Sequence, residues 1–414
     1  MRWLDYWCGI PLCFLLSGVA YFQKIIFSRQ RAAPAVRKIL VIKLSELGAI
    51  VLAYPLLKRL RKDYPSADVF FLTFSRNKFV FSLLGGIVKQ DNVMTISDSS
   101  LSAFALDIVR TLQRIRRERI DIVLDLEFFS RCTAALSFCA GSRMRVGFHH
   151  YTYEGLYRGN LFTHRIQYVP GQHMAKTFLS FALALKQSTK RSPEMPEGFD
   201  EREVMLPRYQ ATQDSITDMN SRLLAMGIGQ GSRLLLMHCG EGMLPLREWP
   251  LDYFKRLIQL LLADPLLVIV IVGLQGAEKK AQQLLSAVSQ SRCKSLVGQT
   301  DLEALMALFH RADALVTNDC GLAHLAALTE LSTLVMFGPE TPDVFGPLGE
   351  HTTVFFTHWP CSPCLSVLNN RMSACKDNAC LKAIQPEEVY QTIQAKIRGN
   401  AGKRNNGVLL RAGQ

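Results

Sequence analysis

The chain is predicted to fold as two consecutive doubly wound α/β units behind an apolar N-terminal helix. Three observations predict this. From Arg37 onward, apolar runs of strand length alternate with segments of helical period. The alternation restarts at Arg233, after a more polar stretch at about residues 186–232. A charge-free run, residues 6–22 (YWCGIPLCFLLSGVAYF), precedes both. Repeated strand–helix order implies parallel sheets with helices on both faces. A length of 414 residues leaves room for two domains of ordinary size and an appendage. The expected division is 1–35 anchor and basic flank, 36–200 first domain, 201–398 second domain and 399–414 polar tail.

In the first half, KILVIKL (38–44) is apolar enough for a strand buried on both faces. SELGAI reads as a tight loop, and VLAYPLLKRLRKDYP as a helix that stops at Pro65. ADVFFLTF (67–74), NVMTIS (92–97), DIVLDLEF (121–128) and RVGF (145–148) are the next strands. A short helix closes at 82–85, and LSAFALDIVRTLQRIRRERI and TAALSFCAG are further helices. In the second half the strands are RLLLMHCG (233–240), LLVIVIVG (266–273), ADALVTN (312–318) and STLVMFG (332–338), with KSLVG after the second. LDYFKRLIQLLLA, AEKKAQQLLSAV, DLEALMALFHRA and LAHLAALTEL are the helices between them. Such sheets bind ligands beyond the carboxyl ends of their strands, and two of them predict a cleft.

About half the residues are hydrophobic and a fifth are charged, which excludes a disordered chain. The net charge is +13, but there is no long Lys/Arg run and no basic stripe interleaved with aromatics, so nucleic acid is not the expected partner. The apolar run points instead to a membrane. Its 17 residues are the lower limit for spanning a bilayer. Lys24, Arg29, Arg31, Arg37 and Lys38 follow it, while only Arg2 and Asp5 precede it, the reverse of a cleaved signal. Basic residues on that side keep the bulk of the chain cytoplasmic. Pro11, near the middle, leaves a re-entrant anchor open, and a buried core helix is the plainer alternative.

Three loops can carry chemistry. In ADALVTNDCGLAHLAALTEL a buried strand ends at Asn318, Asp319 is placed to cap the next helix, and Gly321 lets backbone amides approach a ligand. A helix N-terminus suits pyrophosphate, and His324 is in reach of the same anion. The ordinary reading is a capping Asp and a surface His. In HCGEGMLPLREWP, after the strand at 233–238, Gly240, Gly242 and Arg247 lie at a carboxyl strand end, and Arg247 offers a planar fork of donors to phosphate. Here the alternative is a solvated loop. In KLSELGAI, Gly48 is read as a tight turn, Lys43 and Ser45 as groups for acceptor or phosphate, and Glu46 as the loop's carboxylate. A general base has to sit beside the acceptor hydroxyl.

From about Lys38 to Val389 the chain resembles glycosyltransferase family 9, the lipopolysaccharide heptosyltransferases. The resemblance is carried by TNDCGLAHLAAL, MFGPETPDVFGPLG and the CSPC segment (361–364), more weakly by REWP (247–250), DLEFFSR (125–131) and RVGF. It implies a GT-B fold, with acceptor on the first domain and nucleotide sugar on the second, and an inverting displacement without metal or other cofactor. It implies that Asn318, Asp319, Cys320, Gly321, His324 and Arg247 hold the donor, an ADP-sugar. It implies a lipid-linked glycan acceptor at the cytoplasmic face of the bacterial inner membrane. The family's first loop carries an aspartate after its glycine as the base, whereas Gly48 is followed by Ala49. Either Glu46 supplies the carboxylate, or another residue does, or the chain binds nucleotide sugar without turnover. A UDP-sugar epimerase of the same fold ranks last, for want of a carboxylate–histidine set. Cys361, Cys364, Cys375 and Cys380 form C-x2-C-x10-C-x4-C. They are read as reduced thiols, with structural zinc as the alternative.

Overall fold

The computed structural model describes residues 2–26, 35–149, 157–186, 200–240, 244–288, 291–369 and 371–409. Gly242, one of the loop glycines expected near a ligand, and the flanking Arg29 and Arg31 lie outside the described residues. The chain divides into two units, Met1–Pro207 and Arg208–Gln414.

The first unit holds β1 (Lys38–Ile42), β2 (Asp68–Phe74), β3 (Val93–Ile96), β4 (Ile122–Asp125), β5 (Met144–His149) and β6 (His164–Gln167). They form one sheet in the order β3-β2-β1-β4-β5-β6, parallel throughout. Ile39, Leu40, Val41 and Ile42 of β1 are wholly buried, because helices cover both faces and leave no side for alternating polar residues. The helix Leu101–Glu118 begins where the Ser100 hydroxyl accepts from Ala103 N–H and ends at Arg119 in the left-handed region. Phe104, Ile108, Leu112 and Ile115, at helical spacing, pack on the sheet. Winding reverses between β1 and β4, so the loops after those two strands lie at the topological switch point.

The second unit repeats the plan with β7 (Arg233–His238), β8 (Leu267–Ile271), β9 (Cys293–Ser295), β10 (Ala314–Asn318), β11 (Ser332–Met336) and β12 (Thr352–Phe355). The order is β12-β11-β10-β7-β8-β9, again parallel. Its switch point lies between β7 and β10. The helix Leu251–Leu261 buries Phe254, Leu257, Ile258 and Leu261 against this sheet.

Several local readings change. β6 and β12 and the helix Met174–Ala184 were not anticipated; the strands, HRIQ and TTVF, are short and carry little apolar signal. The polar stretch contains the helix Gln213–Ala225, capped by Thr212, which buries only Met219 and Leu223 and so has thin periodicity. The helix after β1 starts at Leu47, four residues earlier than expected, and breaks at Ala53 into Leu47–Leu52 and Tyr54–Asp63. The last helix, Pro386–Leu409, runs into the segment expected to be a polar tail. The apolar N-terminal run is two helices, Arg2–Trp7 and Gly9–Ile26. Pro11 falls in the first turn of the second, where its missing N–H has no partner to lose, and does not bend the helix midway.

Candidate functional site

In the second unit the site is built on the ends of β7, β10 and β11. The register sets His238 beside Thr317 and Asn318 beside Met336, so the residues that follow meet in one place. Asp319 is buried, and its Oδ2 lies 3.2 Å from Arg247 Nη1. The same Arg247 Nη1 lies 3.2 Å from Glu340 Oε2, four residues past β11. Arg371 Nε approaches Glu340 Oε1 at 2.9 Å. Burial works against the Arg247 charge, but Asp319 and Glu340 outweigh it and raise its pKa. Burial first, and then the Asp319 carboxylate, push the Glu340 carboxyl up to about 8; Arg247 opposes the rise. Asp319 is likewise raised by burial, with Arg247 opposing. Two carboxylates sharing one guanidinium in a dry site do not both ionise freely.

The loop carrying Arg247 is fixed from behind. Trp249 is wholly buried, its N–H donates to Asn318 Oδ1 at 2.9 Å, and its indole Nε1–H donates to Ile384 O at 3.0 Å. Its ring meets Phe254 edge-on at 4.9 Å. Asn318, expected at the donor, thus holds the Arg247 loop through its carbonyl oxygen. The expected Asp319 cap is corrected: the N-cap of the helix Gly321–Ala326 is Cys320, with no side-chain cap bond, because the Asp319 carboxylate is turned to Arg247. That helix is also shorter than the LAHLAALTEL reading. His324 is buried within it, not on its surface. Cys320 Sγ lies 3.6 Å from His238 Nδ1 and 3.3 Å from Thr317 Oγ1. Burial alone would raise the thiol, but His238 and these hydrogen bonds bring it down to about 7.

In the first unit the loops after β1 and β4 form one carboxylate cluster. The register pairs Ile42 with Asp125, so Leu44 and Glu127, two residues on, face each other. Glu127 Oε1 accepts from Leu44 N–H at 2.6 Å and Ser45 N–H at 3.0 Å. Lys43 is wholly buried, with Nζ 3.2 Å from Glu127 Oε2, 3.4 Å from Glu46 Oε2 and 4.6 Å from the Phe128 ring centre. Lys43, expected on the acceptor side, is thus enclosed by Glu46, Glu127 and the Phe128 ring, the counter-charges that a buried ammonium needs. Gly48 is not the turn residue. It is buried inside the helix Leu47–Leu52, and the left-handed residue is Glu46, at φ 69°. Only glycine adopts that region without cost, and Glu46 is one of six non-glycine residues with a positive φ among the described residues. Ala49, in the same helix, is buried. Beneath the cluster the buried pair Asp125–Arg158 ties β4 to the loop. Arg158 Nε donates to Ser130 O at 2.9 Å, and burial pushes Asp125 up to about 6.

Glu127, Glu340, Arg371 and His238 were missed as site residues. The first two share a readable signal, a carboxylate just beyond the carboxyl end of a buried strand. His238 is the last residue of one. Arg371 had none. All eleven cysteines are free thiols, and among the described residues no three His, Cys, Asp or Glu side chains are grouped to hold a metal ion. The zinc alternative for Cys361, Cys364, Cys375 and Cys380 gains no support.

Comparison with known proteins defines the class first. The chain is similar to the solved ADP-heptose LPS heptosyltransferase II of E. coli, with TM-score 0.65 at 20% identity over 88% of this chain and 99% of that one. It is similar to a family 9 glycosyltransferase of Veillonella parvula, with TM-score 0.68 at 16% identity over 89% and 99%. The fold is GT-B, with the N-terminal apolar helices added. The model of Glycosyltransferase family 9 (heptosyltransferase) matches residues 108–373, more than half of the chain, and the chain belongs to that family. Among curated relatives, lipopolysaccharide heptosyltransferase 2 of Salmonella typhimurium is 31% identical over 113 residues, 27% of this chain and 32% of that protein. Lipooligosaccharide heptosyltransferase 2 of Haemophilus ducreyi is 26% identical over 329 residues, 77% of this chain and 88% of that one. The match thus spans about a third of the Salmonella protein and most of the Haemophilus one.

Proposed function

We propose that the chain transfers a heptose from ADP-heptose to a lipopolysaccharide-type, lipid-linked acceptor at the cytoplasmic face of the inner membrane, inverting the anomeric carbon and using no metal. The observation that carries this reading is the buried Arg247 guanidinium, held between Asp319 and Glu340 at the carboxyl ends of β10 and β11. A diphosphate there gains a charge-assisted contact from Arg247, the backbone amides that open the helix Gly321–Ala326, and His324. Relatives whose names specify heptosyl transfer, and a similar solved structure, the E. coli heptosyltransferase WaaC with ADP (TM-score 0.59, 16% identity), support the donor.

The acceptor hydroxyl oxygen forms the new bond to the anomeric carbon as the bond from that carbon to the β-phosphate oxygen breaks. The hydroxyl proton passes to Glu46, and ADP leaves with the bonding pair, its growing charge met by Arg247, His324 and the helix amides. Glu46 is the base in this reading because Lys43 holds it and its backbone is strained to present it. Lys43, Ser45 and Glu127 position it. One observation favours a second reading, binding without turnover: Gly48 is followed by the buried methyl of Ala49, where the resemblance implies an aspartate.

The test uses the full chain, ADP-heptose and heptose-deficient lipopolysaccharide, with products read by mass spectrometry. Wild type adds one heptose and releases ADP. Glu46→Gln lowers kcat by about 10²–10⁴-fold with ADP affinity unchanged, the usual cost of a lost base. ADP binding without product, unchanged in Ala49→Asp, leaves the binding reading standing and the enzyme reading refuted.

A further inference from the structure

We propose that the N-terminal helix is a monotopic membrane element: it lies docked along the first unit and beds its outer face in the surface of an anionic bilayer, without crossing it. This goes beyond the transferase reading and does not rest on it.

The docked face is a stripe four residues apart: Asp5, Gly9, Cys13 and Ser17. Asp5 Oδ1 accepts from Arg131 N–H at 3.0 Å and Cys132 N–H at 2.8 Å, closing the N-terminus of the helix Arg131–Cys139. Gly9 sits so close to Arg131 that a Cβ on it would lie 2.6 Å from the Arg131 Cβ. Cys13 is wholly buried in a cluster with Ala134, Leu161 and Phe162. Ser17 Oγ donates to Cys13 O at 2.6 Å and accepts from Asn160 N–H at 2.8 Å. Gly159, at φ +66°, lets that backbone approach; a Cβ there would lie 2.4 Å from Ser17 Oγ.

Gly9, Cys13 and Ser17 carry these contacts about 12 Å along the helix Gly9–Ile26, at 1.5 Å per residue, and Asp5 continues them on the helix Arg2–Trp7. The helix Gly9–Ile26 is itself about 27 Å long, barely the thickness of a hydrocarbon core. A spanning helix would therefore carry its docking partners, with buried Arg131 and Arg158, to the depth of the lipid tails. To span, it would have to undock, losing both Asp5 bonds and opening the Cys13 cluster.

Away from that stripe the apolar side chains are exposed on all the remaining sides, among them Trp3, Trp7, Phe14, Leu15, Tyr21 and Phe22, with Phe14 exposed by 69%. Trp and Tyr prefer the headgroup level to the bilayer centre. The outward surface is apolar and carries no charge from residue 6 to 22, so lipid suits it better than water, while the docked stripe holds it against the first unit. The net charge of +13, with Lys24, Arg29, Arg31, Arg37 and Lys38 following the apolar run in sequence, selects an anionic surface over a neutral one.

The full chain is mixed with phosphatidylcholine vesicles, with and without phosphatidylglycerol. It should float with the anionic vesicles and bind them about tenfold more tightly than the neutral ones. Trp3→Ala/Trp7→Ala/Phe14→Ala, which touches no docking contact, should keep the wild-type melting curve and lose binding. Phe14 lies at the middle of the apolar run, so Trp3→Phe/Trp7→Phe/Phe14→Trp reports depth. Its fluorescence should be quenched more by lipids brominated near the headgroup than by lipids brominated deep in the chain. Stronger quenching by the deep bromines means a spanning helix and overturns the proposal. Equal binding to neutral vesicles, or no vesicle binding with a dimer that the triple alanine variant dissociates, overturns it as well.

Discussion

At the scale of single residues, the donor-side chemistry turns on who keeps a proton. Glu340 holds its own to about pH 8 because it is buried beside Asp319. Around neutral pH the pair then shares a proton, and Arg247 faces a single negative charge from its two carboxyls. Above about pH 8, a second negative charge competes with an incoming diphosphate for the same guanidinium. ADP affinity should therefore fall as pH rises through about 8, by about tenfold, the loss of one charge-assisted contact. Titration calorimetry on wild type and Glu340→Gln checks this; the variant should lack the step. Asp319 and Arg247 were legible because a Gly- and His-bearing helix start and an Arg before Trp-Pro follow buried strands. Arg371 was not, because an ion pair bridging residues 31 apart leaves no local pattern; Glu340, four residues past a buried strand, carried a signal that went unread.

At the scale of elements, β10 and the loop before the helix Leu251–Leu261 behave as one piece. Trp249 joins them through Asn318 and reaches Ile384 on the far side. Trp249→Ala removes a wholly buried ring and should cost about 3–5 kcal/mol, seen as a lower urea midpoint with unchanged slope. It should also weaken ADP binding, since Arg247 stands two residues away. Alternating buried strands and amphipathic helices were readable because each carries its own period. The strands β6 and β12 and the helix Gln213–Ala225 were not, because their place is set by neighbours more than by their own apolar residues. The start of the helix at Leu47 was hidden for a related reason: Glu46 takes a turn conformation that sequence rules reserve for glycine.

At the scale of the whole molecule, two sheets of the same winding order each place their candidate residues beyond the carboxyl ends of central strands. This plan was the most legible feature, since it follows from strand–helix alternation and handedness alone. In both carboxylate clusters the cationic partner is a side chain, Lys43 in the first unit and Arg247 and Arg371 in the second, and among the described residues no three His, Cys, Asp or Glu are grouped to hold a metal ion. Heptosyl transfer should therefore continue undiminished in millimolar EDTA, and a rate lost to the chelator and restored by a divalent cation would contradict the mechanism.

The backbone at Glu46 carries a last consequence, for the balance between durability and use. Had selection acted on the fold alone, glycine would stand there. Glu46→Ala and Glu46→Gly each lack the Glu46 carboxylate, so backbone preference is what separates them. The glycine variant should be the more stable, by about 1 kcal/mol in urea unfolding, reversing the usual order of the two residues. Both should be equally poor catalysts. The margin between them measures what the native chain gives up in robustness to keep a carboxylate at the mouth of its first unit.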